Sequence, residues 1–497
     1  MGSLLDRNYL NILSSDEVHN IHLATLEVLE HTGVLIREEK ALRLLDQAGA
    51  TVDYRKGIVK IPTHLVKEAV SKTLKSFTWH ARNPKRSIRI GDDPTKFGPG
   101  SECVNIIDLE TGECRIPTKR DAEQLVRLMD ALENIHINYP PVELSDVPEQ
   151  VSDIYSLAIG IKNSSKCMIG SSYGASSAHN SIRIAAALVG GEEELRKKPT
   201  IAGYIDPVSP LTHDKEMIEA LFEYANYAQP IFITTMALAG ATGPATLAGI
   251  LVQQNAEILS GVLIAHLVNP HAPVIYGTVS CPMDMRTGVS STGSPEVGLL
   301  GAASVQIARY YGIPSDVGAQ SNAKMPDAQA SYEKTMSMIM AVMAGADLVD
   351  LFAGSMESYK TTSYEQMVID DELAGMALRC AKGIEVNAET MAKDVIDRVG
   401  PGGHYFADKH TLDWFKKEHY YPKLSDRRTR ANWEKSGGKD IREEARSRAK
   451  EILESHEPEP VDPTIWREIE MIIKDMEKRE LGGLTVGQSA AKPTVKR

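Results

Sequence analysis

Cysteine is scarce in this sequence. Five occur among 497 residues (Cys103, Cys114, Cys167, Cys281 and Cys380), widely scattered and never as CxxC. That excludes a disulfide scaffold and the common zinc spacings, and it suits reduced thiols in a cytoplasm. Cys103 and Cys114 can face each other across a hairpin, yet no disulfide is expected. Positive charge is also short: 55 Lys and Arg against 67 Asp and Glu leave a net −12. This argues against non-specific nucleic-acid binding and against an anionic membrane surface. There is no 18-residue apolar run, so no membrane span is expected. The first twenty residues lack a basic head followed by an apolar core, so no secretory signal is expected. Gly2 with Asp6 and Arg7 is a poor myristoylation match. Glycine-rich stretches at 240–249 and 288–301 match no P-loop, and no glycine-rich dinucleotide fingerprint follows the first strand candidate. There is no internal repeat.

What is present is a rhythm. Strand candidates fall at 97–107, 135–140, 166–171, 200–206, 230–236, 273–278, 313–318 and 348–353. Each is followed by a helix candidate, starting near Thr118, Gln150, Ser177, Asp214, Pro244, Pro295, Asp327 and Tyr364. Strict alternation implies a parallel sheet, and eight units imply a closed α/β barrel, a (β/α)8 TIM barrel over residues 96–400. An open doubly wound sheet is the alternative. Residues 1–95 read as an N-terminal extension, with a helix capped by Ser15 or Asp16, another through Leu42–Leu45, and a hairpin over Thr51–Pro62. Residues 401–497 read as a C-terminal extension. It opens with a basic and aromatic segment (404–433), continues with charged helices at 440–454 and 462–479, and ends in a small, polar tail from Gly482 that is expected to be disordered.

A barrel of this kind builds its site from the loops at the C-terminal strand ends. Those loops carry Glu102, Tyr139, Glu143, Tyr173, Tyr204, Asp206, Arg286, Gln320, Asn322, Lys324, Glu357, Tyr359 and, beyond, Tyr364. No His stands at a strand end, so neither a zinc site nor a nucleophilic triad has its residues. Tyrosine faces and carboxylates suit an ammonium whose charge is spread over methyl groups. Each such Tyr also fits a rim or core position, and each carboxylate a solvated loop.

Six segments carry a family resemblance: KPTIAGYIDPVSPL (198–211), MALAGATGPATLAGILVQQNAEILSG (236–261), TGSPEVGLLGAA (292–303), GIPSDVGAQSNAKMPDAQASYEKTM (312–336), EQMVIDDEL (365–373) and LSDRRTRANWEKSGGKD (424–440). In this order they resemble the trimethylamine methyltransferase family, which passes methyl groups to a corrinoid protein. The resemblance implies a (β/α)8 barrel and a homo-oligomer. Trimethylamine-specific members carry pyrrolysine where this sequence has Gln320 in GAQSNAK. An amide cannot form pyrrolysine's adduct, so the resemblance points to the members without pyrrolysine, which demethylate quaternary amines such as glycine betaine.

On that basis Gln320 is the expected catalytic-wall residue. Tyr204, Tyr359 and Tyr364 are expected to contact the cation, with Asp206 and Glu357 as carboxylates and Asn322 and Lys324 as further substrate contacts. Lys324, Arg286 and Lys360 are the donors considered for a betaine carboxylate. The expected methyl acceptor is the Co(I) of a separate corrinoid protein, because this chain lacks the DxHxxG pattern that holds such a cofactor. Segment 404–433 is either its docking element or a packed extension. Other readings are a tertiary-methylamine methyltransferase, a betaine sensor without catalysis, and a barrel lyase or hydrolase using Glu357 or Asp206 as base.

Overall fold

The computed structural model describes residues 9–100 and 102–482. The myristoylation reading at Gly2 and the tail after Gly482 lie outside the described residues. Eight short strands form the centre: β1 (Lys96–Pro99), β2 (Ile137–Asn138), β3 (Cys167–Ile169), β4 (Ile201–Ile205), β5 (Ile231–Thr235), β6 (Val274–Thr278), β7 (Ser315–Gly318) and β8 (Leu348–Ala353). All neighbours pair in parallel, in the order β2 to β8 and then β1. The ring closes where the His136 N–H donates to the Phe97 carbonyl (2.7 Å), joining β2 to β1. The fold is a (β/α)8 barrel.

The outer helices are α1 (Lys119–Ala131), α2 (Glu149–Asn163), α3 (Gly174–Val189), α4 (Lys215–Asn226), α5 (Leu247–Val268), α6 (Pro295–Tyr311), α7 (Ala328–Ala344) and α8 (Tyr364–Lys382). Capping sets several starts: Asp214, Asp327 and Ser363 each accept a backbone N–H from the first turn. Among the described residues α5 is the one helix long and apolar enough to cross a membrane, and most of it is buried inside the barrel's helix layer. Its sequence is not an uninterrupted apolar run, because Gln254, Asn255 and Glu257 break it, and these three are themselves buried.

The first strand is shorter than its sequence pattern. After Pro99 the chain leaves the barrel, and Asn105–Ile107 joins a separate sheet with Cys114–Arg115 and Thr361–Ser363. Cys114 therefore faces Ile107 rather than Cys103, and all five thiols are free. The first N-terminal helix is capped by Ser14, one residue earlier than expected, in a reciprocal box with Glu17.

A hairpin of the N-terminal extension, Phe77–Trp79 with Ile88–Ile90, seals the lower end of the barrel. His80 N–H donates to the Pro199 carbonyl (2.7 Å) and Asn83 N–H to Ser165 (3.1 Å), just ahead of β4 and β3. Trp79 is fully buried against Ile137, Cys167, Ala202, Phe232, Ile275 and Leu348. The C-terminal helices Ile441–Ser455 and Pro463–Glu480 pack on the outer ring. Arg446 pairs with buried Glu365 (2.7 Å) and His456 with Asp130 (2.8 Å). Segment 404–433 is anchored to α8 through Arg379–Glu418 (2.7 Å) and the Lys423 N–H on Glu372 (2.9 Å).

Candidate active site

Strand side chains alternate between barrel interior and helix layer. In β4 that sends Ala202 into the apolar floor and Tyr204 into the layer above. An aromatic column results: the Trp79 and Phe232 rings are 5.8 Å apart edge-on, and Tyr204 stacks on Phe232 at 4.4 Å. Above the floor the interior changes character. The Tyr204 hydroxyl donates to Asp350 Oδ2 (2.6 Å). Asp350 leans over the neighbouring strand β1, where a Cβ on Gly98 would lie 1.8 Å from its Oδ1. Glycine there makes room for the carboxylate.

Asp350 has a neighbour of the same sign. Asp316 on β7 is 1% exposed, and neither of its oxygens has a hydrogen-bond partner. Burial, reinforced by the Asp350 charge, holds the Asp316 carboxyl well above the usual carboxylate range. Burial also pushes Asp350 up to about 6, opposed by its hydrogen bonds from Tyr204 and the Leu351 N–H. Asp206, at the upper end of β4, is open to solvent yet ringed by protein, as a group in a funnel is; desolvation and Asp214 push it up to about 7. The Tyr359 phenol enters the same space: its oxygen lies 3.4 Å from where a Cβ on Gly318 would be. Burial raises it most, then Cys281, Asp316 and Asp206. Among the described residues no Lys, Arg or His is a leading influence on any of these five groups.

Tyr359 reaches the mouth on a strained loop. Glu357, Ser358 and Tyr359 all have positive φ (52°, 54° and 71°), as does Leu351 within β8 (51°). Non-glycine residues there cost about 1–3 kcal/mol each and persist where surroundings impose them. Asn322 supplies much of that constraint: its amide donates to Ser358 Oγ (2.7 Å) and to the Ser290 carbonyl (2.9 Å), and its oxygen accepts from Gly293 N–H (2.8 Å). It thus staples the loops after β6, β7 and β8. Gln320 is 1% exposed and donates to the Leu351 carbonyl, bracing the bulge that redirects β8 between Val349 and Ala353; its own oxygen has no partner. Behind β8, Lys334 and Asp370 form an ion pair (2.6 Å), both fully buried. Lys334 also donates to the Phe352 carbonyl (2.6 Å), and Asp370 accepts from the Gly354 N–H (2.8 Å). This pair fixes the root of the Tyr359 loop.

The residues expected at the site therefore fall into two groups. Tyr204, Asp206, Tyr359 and Gln320 converge on the barrel mouth or its wall. The others lie elsewhere. Glu357 accepts from the Thr361 hydroxyl (2.7 Å), and Asn322 is a loop staple. Lys324 is exposed and turned back to the Asn322 carbonyl (2.7 Å). Tyr364 is buried in the helix layer, its hydroxyl on Gln124 (3.0 Å), because the first turn of α8 faces α1. Arg286 is exposed and paired with Asp284, and Lys360 is exposed. A second carboxylate cluster flanks the mouth: Glu102 accepts from the Tyr139 and Tyr173 hydroxyls and lines a cleft of about 740 Å³ with Glu143 and Asp153.

Sequence reasoning missed Asp316 and Asp350. Their signal was present: a charged residue interrupting an otherwise apolar or small strand (SDVG, LVDLFA) in a register that points into the barrel.

The sequence profile of the trimethylamine methyltransferase (MTTB) family matches residues 4–482. The chain is 40% identical to a glycine betaine methyltransferase of Desulfitobacterium hafniense, over 95% of this chain and 98% of that one. It is 36% identical to a trimethylamine methyltransferase of the same species, over 93% of each. In three dimensions it is similar to the monomethylamine methyltransferase of Methanosarcina barkeri, with a TM-score of 0.51 at 14% identity, covering 95% of this chain and 89% of that one; that likeness bears on the fold alone. With profile and relatives spanning nearly the whole length, and an aromatic, acidic mouth where barrel enzymes place their chemistry, the chain belongs to the trimethylamine methyltransferase family.

Proposed function

We propose that the enzyme transfers a methyl group from a quaternary amine of the glycine betaine type to the Co(I) of a separate corrinoid protein. The observation that carries this reading is the mouth itself. Three carboxyls and two tyrosines surround one space, and none of the described residues sets a cation among them. A permanently charged ammonium supplies the missing charge, and its methyl groups suit the rings of Tyr204 and Tyr359. The relative named as a glycine betaine methyltransferase supports the same class.

The chemistry needs little from the protein beyond placement. In an in-line displacement the acceptor takes the methyl carbon and the amine departs neutral. No general acid is required, which agrees with a mouth without His. Tyr204, held between Phe232 and Asp350, orients the cation. Asp206 and Tyr359 border the entrance, and the Gln320 brace keeps β8 bulged so that Asp350 faces inward. Orientation of this kind supplies several kcal/mol, about 7–11 at most.

The test is to incubate the purified enzyme with a corrinoid protein reduced to Co(I) and a panel of betaines and methylamines, following methyl-Co(III) by absorbance. Methylation from a quaternary amine, with trimethylamine inert, is the expected result. Turnover that proceeds without any corrinoid protein would replace this reading with a lyase or hydrolase.

A further inference from the structure

Within the barrel the two aspartates are unequal. Asp350 accepts two hydrogen bonds, from the Tyr204 hydroxyl (2.6 Å) and the Leu351 N–H (2.8 Å). Asp316, on the adjacent strand, is 1% exposed and has no donor in full hydrogen-bond geometry; the Tyr204 hydroxyl and the Asp350 and Val317 N–H groups lie near it and offset its burial only in part. Two carboxylates in one desolvated layer repel, and the one with the weaker donors is the one that keeps a proton. The groups facing them are Tyr204 and Asp206 from β4 and Tyr359 from the loop after β8, with Cys281 next to Tyr359. None is a cation. Asp316 lies below the surface of the mouth, so it acts on a ligand through its charge rather than by contact.

We propose that Asp316 and Asp350 form one unit that carries a single negative charge in the free enzyme and a second only when a cation lies above them, so that binding a quaternary ammonium releases a proton and permanent cations are selected over neutral methyl donors. This rests on the quaternary-amine reading above and adds its specificity device. The proton leaves the Asp316 carboxyl for solvent, and no covalent bond to the substrate changes. Burial and the Asp350 charge hold the Asp316 carboxyl well above the usual carboxylate range, and Asp350, at about 6, is the first of the two to ionise. By linkage, affinity then rises with pH, at most about tenfold per unit for one proton.

The experiment is calorimetric titration of the full-length protein with tetramethylammonium chloride and with glycine betaine. It is run at pH 7 in phosphate and in Tris, whose ionisation heats differ, and repeated from pH 6 to pH 8. Expected for the native protein is a buffer-dependent heat matching release of close to one proton. In Asp316→Asn, which keeps shape and polarity, the buffer dependence disappears, affinity becomes flat with pH, and binding at pH 8 is about tenfold weaker. Asp350→Asn gives the same loss by a second route. Asp206→Asn binds more weakly but still releases the proton. Binding with equal heats in both buffers overturns the proposal and leaves the quaternary-amine reading intact. Release that vanishes only in Asp206→Asn overturns it too. Failure of the native protein to bind any quaternary ammonium overturns both.

Discussion

Two buried carboxylate sites lie on opposite faces of β8, and they are built on opposite plans. On the outer face, Asp370 meets Lys334 at 2.6 Å and accepts further bonds from the Gly354 N–H and the Gln366 amide. Its charge is answered within the chain. On the inner face, Asp350 meets Asp316, a group of the same sign with no hydrogen-bond partner. The first arrangement holds the fold and anchors the loop that carries Tyr359. The second costs stability, and a protein retains such a cost where the site's work requires it. Neither burial nor residue type separates the two sites; the difference is whether the counter-charge belongs to the protein.

The hardest test of the contrast is to remove the outer cation. Lys334→Ala leaves Asp370 buried and unpaired, and the expected loss is about 3–5 kcal/mol in denaturant unfolding. A loss under about 1 kcal/mol would mean the two sites are energetically alike. Next is the staple between the loops. Asn322→Ala frees Ser358 and the Ser290 carbonyl, with an expected loss of about 1–3 kcal/mol and a fall in kcat larger than any rise in KM, because the strained Tyr359 loop relaxes.

The inner pair predicts the reverse sign. Its folded-state carboxyls titrate above the unfolded value of about 3.9. Below that pH both states are protonated and the pair costs nothing. As pH rises, the unfolded chain ionises first, so stability falls until the folded group titrates, near 6 for Asp350. Asp350→Asn should therefore become progressively more stable than the native protein from about pH 4 to about pH 6 and hold that advantage above; thermal melts across this range check it. A variant less stable at every pH would show that Asp350 serves the fold as Asp370 does. Tyr204→Phe keeps the ring on Phe232 and removes one donor to Asp350, for an expected loss of about 0.5–1.5 kcal/mol in denaturant unfolding and a reduced rate of methyl transfer. Smallest of all, Lys324→Ala and Arg286→Ala, on exposed loops, should stay within about 0.5 kcal/mol of native stability; a large rise in KM for a betaine would bring either residue back to the substrate.

Much of this architecture was legible before any coordinates. Alternation of short apolar runs with helix starts located all eight units, because parallel strands buried on both faces and capped amphipathic helices each leave a local pattern. Tyr204, Asp206, Gln320 and Tyr359 were legible as strand-end residues. Asn322, Lys324, Glu357 and Tyr364 occupy similar strand-end positions in the sequence, yet they turn to neighbouring loops or to α1. Which way a loop side chain turns depends on partners far along the chain, such as Ser290 for Asn322 and Gln124 for Tyr364. The lower plug was illegible for the same reason: Phe77–Trp79 reads as an ordinary strand until it is seen beneath β3 and β4.

By itself, then, the sequence determined the eightfold alternation, the acidic and tyrosine-rich strand ends and the family, since periodicity, composition and motif order are properties of neighbours along the chain. The tertiary structure alone decided that Asp316 and Asp350 share one desolvated space with no cation from the described residues, while Asp370 receives Lys334. Charge pairing acts through distance in space, and closing the barrel brings together residues from strands that the sequence keeps apart.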